Sequence, residues 1–309
     1  MALALHFDAR VSDDERRARL YRGEIFVYGP RPATLALCEF ARELIRDALR
    51  PHDPERAQHD LPVEQFAAIL AELKPRFIHH AESKRLIRAI LADFGCDAEH
   101  TYFDVPRLRT STSDGYLTSG IAYAFHPHRD TWYSAALCQL NWWLPVFELG
   151  EDNGLAFHPR YWAEPLRNGS REYDYAEWNR TSRFSAASQI GQDTRRQPKP
   201  EEEVDASGEV RPLCPVGGTV LFSGAQLHSS VTNTSGRTRY SIDFRTVHRG
   251  EAERGAGAPN VDSSCTGTAL GDFLRCSDLA HLPEKLIEAH ERGFGRRPPR
   301  GEGACGGAS

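Results

Sequence analysis

Phe125-His126-Pro127-His128-Arg129-Asp130-Thr131-Trp132 is the stretch that organises this chain, and its core is His128-x-Asp130. Residues two apart on a strand point to the same face of a sheet. His128 and Asp130 can therefore hold one metal ion from one side. A third ligand must come from elsewhere. The later segment Gln226-Leu227-His228-Ser229-Ser230 supplies His228 as the best candidate. Two His and one carboxylate on one face, with open positions opposite, suit non-haem Fe(II) that activates oxygen.

The spacing His-x-Asp is weak by itself, and the segment that follows His228 strengthens it. Arg239 lies eleven residues past His228, with Ser241 two further on. A strand carrying both on one face can grip a carboxylate by a charge-assisted fork plus a hydroxyl. Metal ligands beside a carboxylate clamp suggest a keto acid that chelates the metal. In these residues the chain resembles the Fe(II)/2-oxoglutarate-dependent dioxygenases, and among them the phytanoyl-CoA dioxygenase-like branch. The resemblance rests on His128-x-Asp130, His228, Ser230, Arg239-x-Ser241 and the turn Asp152-Asn153-Gly154, within residues 100–250. It implies His128, Asp130 and His228 as ligands of Fe(II), with Arg239, Ser241 and Ser230 around the 2-oxoglutarate carboxylate. It implies O2 as the oxidant and a double-stranded β-helix, a jelly-roll or cupin-like barrel with flanking helices, as the fold. An intact Asp130 argues for hydroxylation, desaturation or ring closure over halogenation, since related halogenases carry a small residue there.

Several residues compete for these roles. His126 shares the His128 face and is the rival ligand; the one-residue spacing favours His128, leaving His126 to orient a ligand or to pack. His158, in Gly154-Leu155-Ala156-Phe157-His158-Pro159, is a weaker ligand candidate, because the chain lacks the family's wording there. His248 trails the clamp strand and reads as structural. Arg237 lies on the Arg239 face but close to a turn, where a solvated charge is the plainer reading. Thr118 and Gln139 are further candidates that position alone does not decide. Arg129 points away from its two neighbours. Trp132, Tyr133, Trp142 and Trp143 crowd the first ligand pair and read as core, with a subset free to form a substrate wall.

Composition narrows the class. The chain has 309 residues, 40% of them hydrophobic, and a net charge of −5. That is enough for a sizeable core and gives no electrostatic footprint for nucleic acid. No apolar run approaches the ~20 residues of a membrane span. The N-terminal Met1-Ala2-Leu3-Ala4-Leu5-His6-Phe7-Asp8 reads as too short and too soon acidic for a signal peptide. Seven scattered Cys without a C-x-x-C pair argue against a disulfide framework and against a Cys-based zinc site. A reducing cytoplasm follows as the expectation. No Lys/Arg cluster near the site favours an acyl-CoA, so the expected partner is a small molecule, such as a specialised metabolite.

Taken in order, residues 24–28 read as a strand closed by Gly29-Pro30. Helices are expected from Pro32 to Arg50, from a start at Pro62 with Phe66, Ile69, Leu70 and Leu73 on one face, and from Ala81 to Phe94 with Gly95 as cap. His79 and His80 before the last of these read as surface residues. From 101 the period changes to strands: 101–108, 117–125, 132–147, 217–222 and the alternating run around Tyr240, Ile242 and Phe244. Helices followed by many short strands give an α+β class. One dioxygenase domain is expected over 1–295: a helical part to 100, a β core over 101–250 and a helical part over 251–295 with a helix at 283–292. A low-complexity, disordered tail is expected over 296–309. Residues 164–212 are long, polar and set between ligand segments, which makes them a candidate lid, with plain disorder as the alternative for 192–208.

Two other classes compete with the oxygenase. A zinc hydrolase would use His and carboxylate ligands but not the Arg239/Ser241 clamp. A non-catalytic cupin-like binding protein would typically carry a broken ligand triad.

Overall fold

A computed structural model describes residues 3–122 and 125–296. The tail beyond Arg296 lies outside the described residues, as does the end of the expected strand 117–125 at Tyr123 and Ala124.

The strands β1 (Leu5–Phe7), β2 (Ile25–Tyr28), β3 (Thr101–Phe103), β4 (Arg107–Ser111), β5 (Leu140–Pro145), β6 (Leu155–Phe157), β7 (Thr219–Ser223), β8 (His228–Ser230), β9 (Arg239–His248) and β10 (Leu274–Arg275) form two sheets. The larger has the order β1-β2-β7-β5-β9-β3-β10, with β4 also paired to β9. All its pairings are antiparallel except β1 with β2. The smaller is β6 with β8, extended by an isolated bridge between His128 and His228 and another between Phe157 and Val210.

The helices α1 (Asp13–Leu20), α2 (Pro32–Leu49), α3 (Val63–His79), α4 (Ala81–Asp93), α5 (Tyr175–Thr181), α6 (Arg249–Arg254) and α7 (Glu284–Glu291) flank the sheets. Pro32 starts α2 where its missing N–H costs nothing. His80 closes α3 and caps α4, its Nδ1 accepting from the Glu82 N–H at 3.1 Å. Gly95 follows α4 with φ +70°, the left-handed turn foreseen for it.

β5 explains the layering. Leu-Asn-Trp-Trp-Leu-Pro is buried at every position because it is covered on both faces. Leu140, Trp142 and Leu144 join Tyr240, Ile242 and Phe244 of β9 in a core shared with α2, α3 and α4. Trp143 points the other way and packs with Val27, Val220, Phe222, Leu155 and Phe157. The β6–β8 pair therefore lies across the inner face of the large sheet.

Some expectations are corrected. α1 was not foreseen: Asp13-Asp14-Glu15-Arg16-Arg17-Ala18-Arg19-Leu20 offers no apolar stripe. It is held by the Ser12 cap and by ion pairs such as Arg17 to Glu251 at 2.9 Å. Residues 117–122 run as bends and turns, and 132–147 begins as a 3-10 turn at Asp130–Tyr133 before β5. The stretch 101–108 divides into β3 and the start of β4. The segment 164–212 carries α5 and 3-10 turns at Gly169–Glu172 and Arg183–Ser188. Its 192–208 part is tied down by backbone bonds, Gly169 N–H to Lys199 O at 3.0 Å and Glu201 N–H to Arg167 O at 2.8 Å.

A candidate metal centre facing a buried arginine

His128 and His228 are opposite each other on neighbouring extended segments, each backbone N–H donating to the other's carbonyl at 2.9 Å. Their rings follow, with centroids 4.3 Å apart. Asp130 opens the 3-10 turn rather than continuing a strand. Arg129 before it is still extended, at φ −111° and ψ 142°, so the two-residue alternation survives to Asp130. Ligating atoms of His128, Asp130 and His228 lie within 4.8 Å of one another. Among the described residues, no other group of three or more His, Cys, Asp and Glu does so.

Each of the three side chains is oriented from behind. His128 Nδ1 lies 2.9 Å from the His126 carbonyl, and His228 Nδ1 lies 3.0 Å from the Gln226 carbonyl. Each Nδ1 thus donates to backbone and leaves Nε2 with its lone pair, the state a metal requires. Burial, helped by His128, pushes the His228 pKa down to about 3, so its ring is neutral. Asp130 turns Oδ2 away from the centre. That oxygen accepts from Gln139 Nε2 at 2.8 Å and Asn141 Nδ2 at 2.9 Å, with Arg245 Nε at 3.5 Å. Oδ1 faces His128 Nε2 at 3.4 Å. Burial raises the Asp130 pKa, and the Arg245 charge and the imidazoles outweigh it, so the carboxyl titrates far below its ordinary range. Gly224 closes the back. A Cβ there would sit 3.3 Å from Asp130 Cβ and 3.2 Å from Gln139 Nε2, tighter than side chains pack.

Arg239, Ser241, Asp243 and Arg245 line the inner face of β9; the first three are paired in register with Ser111, Arg109 and Arg107 of β4, and Arg245 with Asn141 of β5. Arg109 forks onto Asp243 at 2.6 and 3.2 Å. Arg239 has no such partner. It is 5% exposed, its guanidinium lies 5.7 Å from the Trp143 ring, and its one hydrogen bond is a long 3.4 Å to the Gly154 carbonyl. Its Nε and the hydroxyls of Ser241 and Ser111 are buried without a hydrogen-bond partner. Burial, then the Arg109 charge, pushes its pKa down to about 10. A buried cation and two orphan hydroxyls on one face leave hydrogen-bonding capacity and charge that an anion would satisfy.

The rivals fall elsewhere. Arg237 is exposed at the turn. His126 Nε2 lies 2.9 Å from the Pro198 carbonyl, which also accepts from Tyr133 Oη at 3.0 Å. His158 pairs with Ser229 Oγ at 3.3 Å, on the opposite face of the β6–β8 pair from His228. Both line a cleft of about 480 Å³ with Phe125, Asp152, Glu209 and Ser230. Ser230 follows the His228 face, but no contact joins it to Arg239. His248 stacks on His100 at 5.7 Å. Thr118 is exposed, and Gln139 serves Asp130 instead of a co-substrate. Arg129 points away, onto Asp262 at 3.1 Å. Asp243 and Arg245 fall on the polar face of the run that alternates with Tyr240, Ile242 and Phe244, a face the sequence already suggests for an active-site wall, whereas Asn141 and Arg109 were not singled out. The signal available for Asn141 was its place as a lone amide within the apolar run of β5.

No family model matches the chain, and no curated protein matches it. Solved structures do. One is the "non-heme monooxygenase; ThoJ apo", 15% identical, covering 75% of this chain and 76% of that one at a TM-score of 0.41. Another is EvdO2 from Micromonospora carbonacea var. aurantiaca complexed with 2-oxoglutarate, at 14%, 78%, 93% and 0.44 respectively. A third is EctD from S. alaskensis with bound Fe, at 16%, 78%, 78% and 0.40. No helix among the described residues is long and apolar enough to cross a membrane.

Proposed function

We propose that this protein is an Fe(II)- and 2-oxoglutarate-dependent oxygenase, built on a double-stranded β-helix, that oxidises an unactivated C–H bond of a small molecule. The observation that carries the reading is the meeting of two features on one interior face. One is a His-Asp-His group with two free Nε2 lone pairs and one free carboxylate oxygen. The other is a buried arginine that lacks a carboxylate.

The residues present fit the group. Two neutral imidazoles and one carboxylate are the donor set of non-haem Fe(II) sites that keep open positions. His128, Asp130 and His228 would hold the metal. Arg239 would take the distal carboxylate of 2-oxoglutarate, with Ser241 donating from the next position on that face and Ser230 as a further donor. When bound, the metal supplies oxygen activation: R–H, 2-oxoglutarate and O2 give R–OH, succinate and CO2. The chain orients and seals. Asn141 and Gln139 keep Asp130 Oδ1 turned inward, while Arg245 keeps its carboxylate charged. The 164–212 segment, docked by the Pro198 carbonyl on His126 and Tyr133, acts as the lid that excludes water. Hydroxylation is the first expectation, with desaturation or ring closure as variants of the same hydrogen removal.

Anaerobic addition of Fe(II) and then 2-oxoglutarate should give a weak visible charge-transfer band that needs both. Admitting O2 should then release succinate. A zinc hydrolase or a metal-free binding protein would give neither response. Absence of the band in protein that has demonstrably taken up Fe(II) overturns the reading.

A further inference from the structure

Asp130 Oδ2 is saturated. Gln139 Nε2 and Asn141 Nδ2 approach it at 2.8 and 2.9 Å, and Arg245 Nε stands at 3.5 Å. A carboxylate oxygen has two lone pairs, so both are committed to donors fixed by the protein. The amides cannot turn freely. Gln139 Nε2 also donates to Asn141 Oδ1 at 3.1 Å, which fixes the Asn141 nitrogen toward Asp130. Gly224 leaves no room behind Gln139, and its N–H donates to the Gln139 carbonyl at 3.0 Å. Arg245 is itself held by Asp104, which accepts from its backbone N–H at 2.7 Å and from Nη1 at 3.3 Å. All four residues, Asp130, Gln139, Asn141 and Gly224, are at least nine-tenths buried or in direct backbone contact with one another, so water does not substitute for a lost donor.

We infer that Gln139 and Asn141 are positioning residues that hold Asp130 to one-oxygen coordination and thereby set how many positions stay open. This rests on the metal reading proposed above. With Oδ2 committed, Asp130 would offer one oxygen, and His128, Asp130 and His228 together would leave room on the metal for both a chelating keto acid and O2. If Oδ2 were released, the carboxylate could swing to bind through both oxygens. Metal would still be held, but a position needed by the keto acid would be lost. The role therefore lies in the balance between two binding equilibria, not in metal retention itself.

The test uses the full-length protein, stripped of metal, with Mn(II) as the redox-silent probe and 2-oxoglutarate as the second ligand. Both are followed by isothermal titration. The variants are Asn141→Leu, Gln139→Met and the pair together, with thermal melting to check folding. The expected result is Mn(II) affinity within about threefold of wild type and 2-oxoglutarate affinity for the Mn(II) form lowered at least tenfold in the double variant. The Mn(II) electron paramagnetic resonance spectrum should change in the double variant before any keto acid is added. If the double variant does not fold, the Asn141→Leu single variant is read by the same two titrations, with a smaller shift of the same kind. A fall in Mn(II) affinity with unchanged 2-oxoglutarate affinity of the loaded protein overturns the inference, and so does no change in either. Failure of wild-type protein to bind Mn(II) at all would instead strike the metal reading.

Discussion

His128 and His228 exchange both of their backbone hydrogen bonds, although the whole 164–212 segment lies between them in the chain. A metal bound by both rings would cross-link the two ends of that excursion. Binding to the folded state alone adds about 2.7 kcal/mol of stability when free metal is a hundred times its dissociation constant. Mn(II) or Co(II) should therefore raise the melting temperature of wild-type protein. His228→Ala and Asp130→Ala should abolish that rise along with substrate oxidation. A metal-dependent rise that persists in His228→Ala would remove this histidine from the ligand set.

Arg239 and Arg237 are separated by burial, one inside the sheet and the other at the turn. Arg239→Leu should raise the 2-oxoglutarate requirement at least tenfold while Mn(II) affinity stays near wild type, because a buried fork is not replaced by a distant charge. Arg237→Leu should leave both unchanged. The assignment moves to Arg237 if the two variants show the reverse.

The lid is expected to move as a unit that pivots where Pro198 meets His126 and Tyr133. Tyr133→Phe removes one of two donors to that carbonyl. Limited proteolysis should cut within 192–208 faster in this variant than in wild type, and substrate should slow cutting in both. Equal rates in all four samples, with normal turnover after excision of 192–208, would reduce the segment to a surface loop.

Lys74 on α3 offers a stability test that does not involve the metal. Its ammonium donates to the Ile121 carbonyl, and burial, then the Arg109 charge, pushes its pKa down to about 7. An unfolded lysine titrates at ~10.4. Between these values the unfolded chain binds a proton that the folded chain does not, so the group makes stability rise with pH across that window. Below pH 7 its penalty is complete and level. Lys74→Met should accordingly be more stable than wild type in urea at pH 7, with the advantage shrinking at pH 9.5. The same advantage at both pH values would show that Lys74 is not desolvated as described.

The parts of this molecule legible in the sequence are those set by short spacing. The periodicity of Leu37, Leu44, Phe66, Leu70, Leu86 and Ile90 marked α2 and α4 nearly to their ends and α3 from its start, since one face of each joins the core. His128-x-Asp130 and Arg239-x-Ser241 were visible because a two-residue step keeps side chains on one face. That Gln139, Asn141 and Arg245 serve Asp130 was not visible. It depends on the register of β5 against β9, which puts Asn141 opposite Arg245, and no local pattern carries that pairing. α1 was missed for the converse reason: its stability lies in ion pairs to Glu251, far along the chain, rather than in an apolar stripe.

Arg129, the residue between His128 and Asp130, is 1% exposed and bound to Asp262, which also accepts from the Trp132 indole at 2.7 Å and the Leu166 N–H at 3.0 Å. Breaking such a buried pair from one side costs roughly 3–5 kcal/mol. The consequence concerns how this protein can diverge. Arg129, Trp132 and Asp262 form a lock that changes together or not at all, and it reaches from the metal segment into the C-terminal part. Leu166 ties the start of the 164–212 segment to that lock. Under the proposed function, substitutions in the exposed part of that segment would change which substrate is taken while the lock keeps His128 and Asp130 in place.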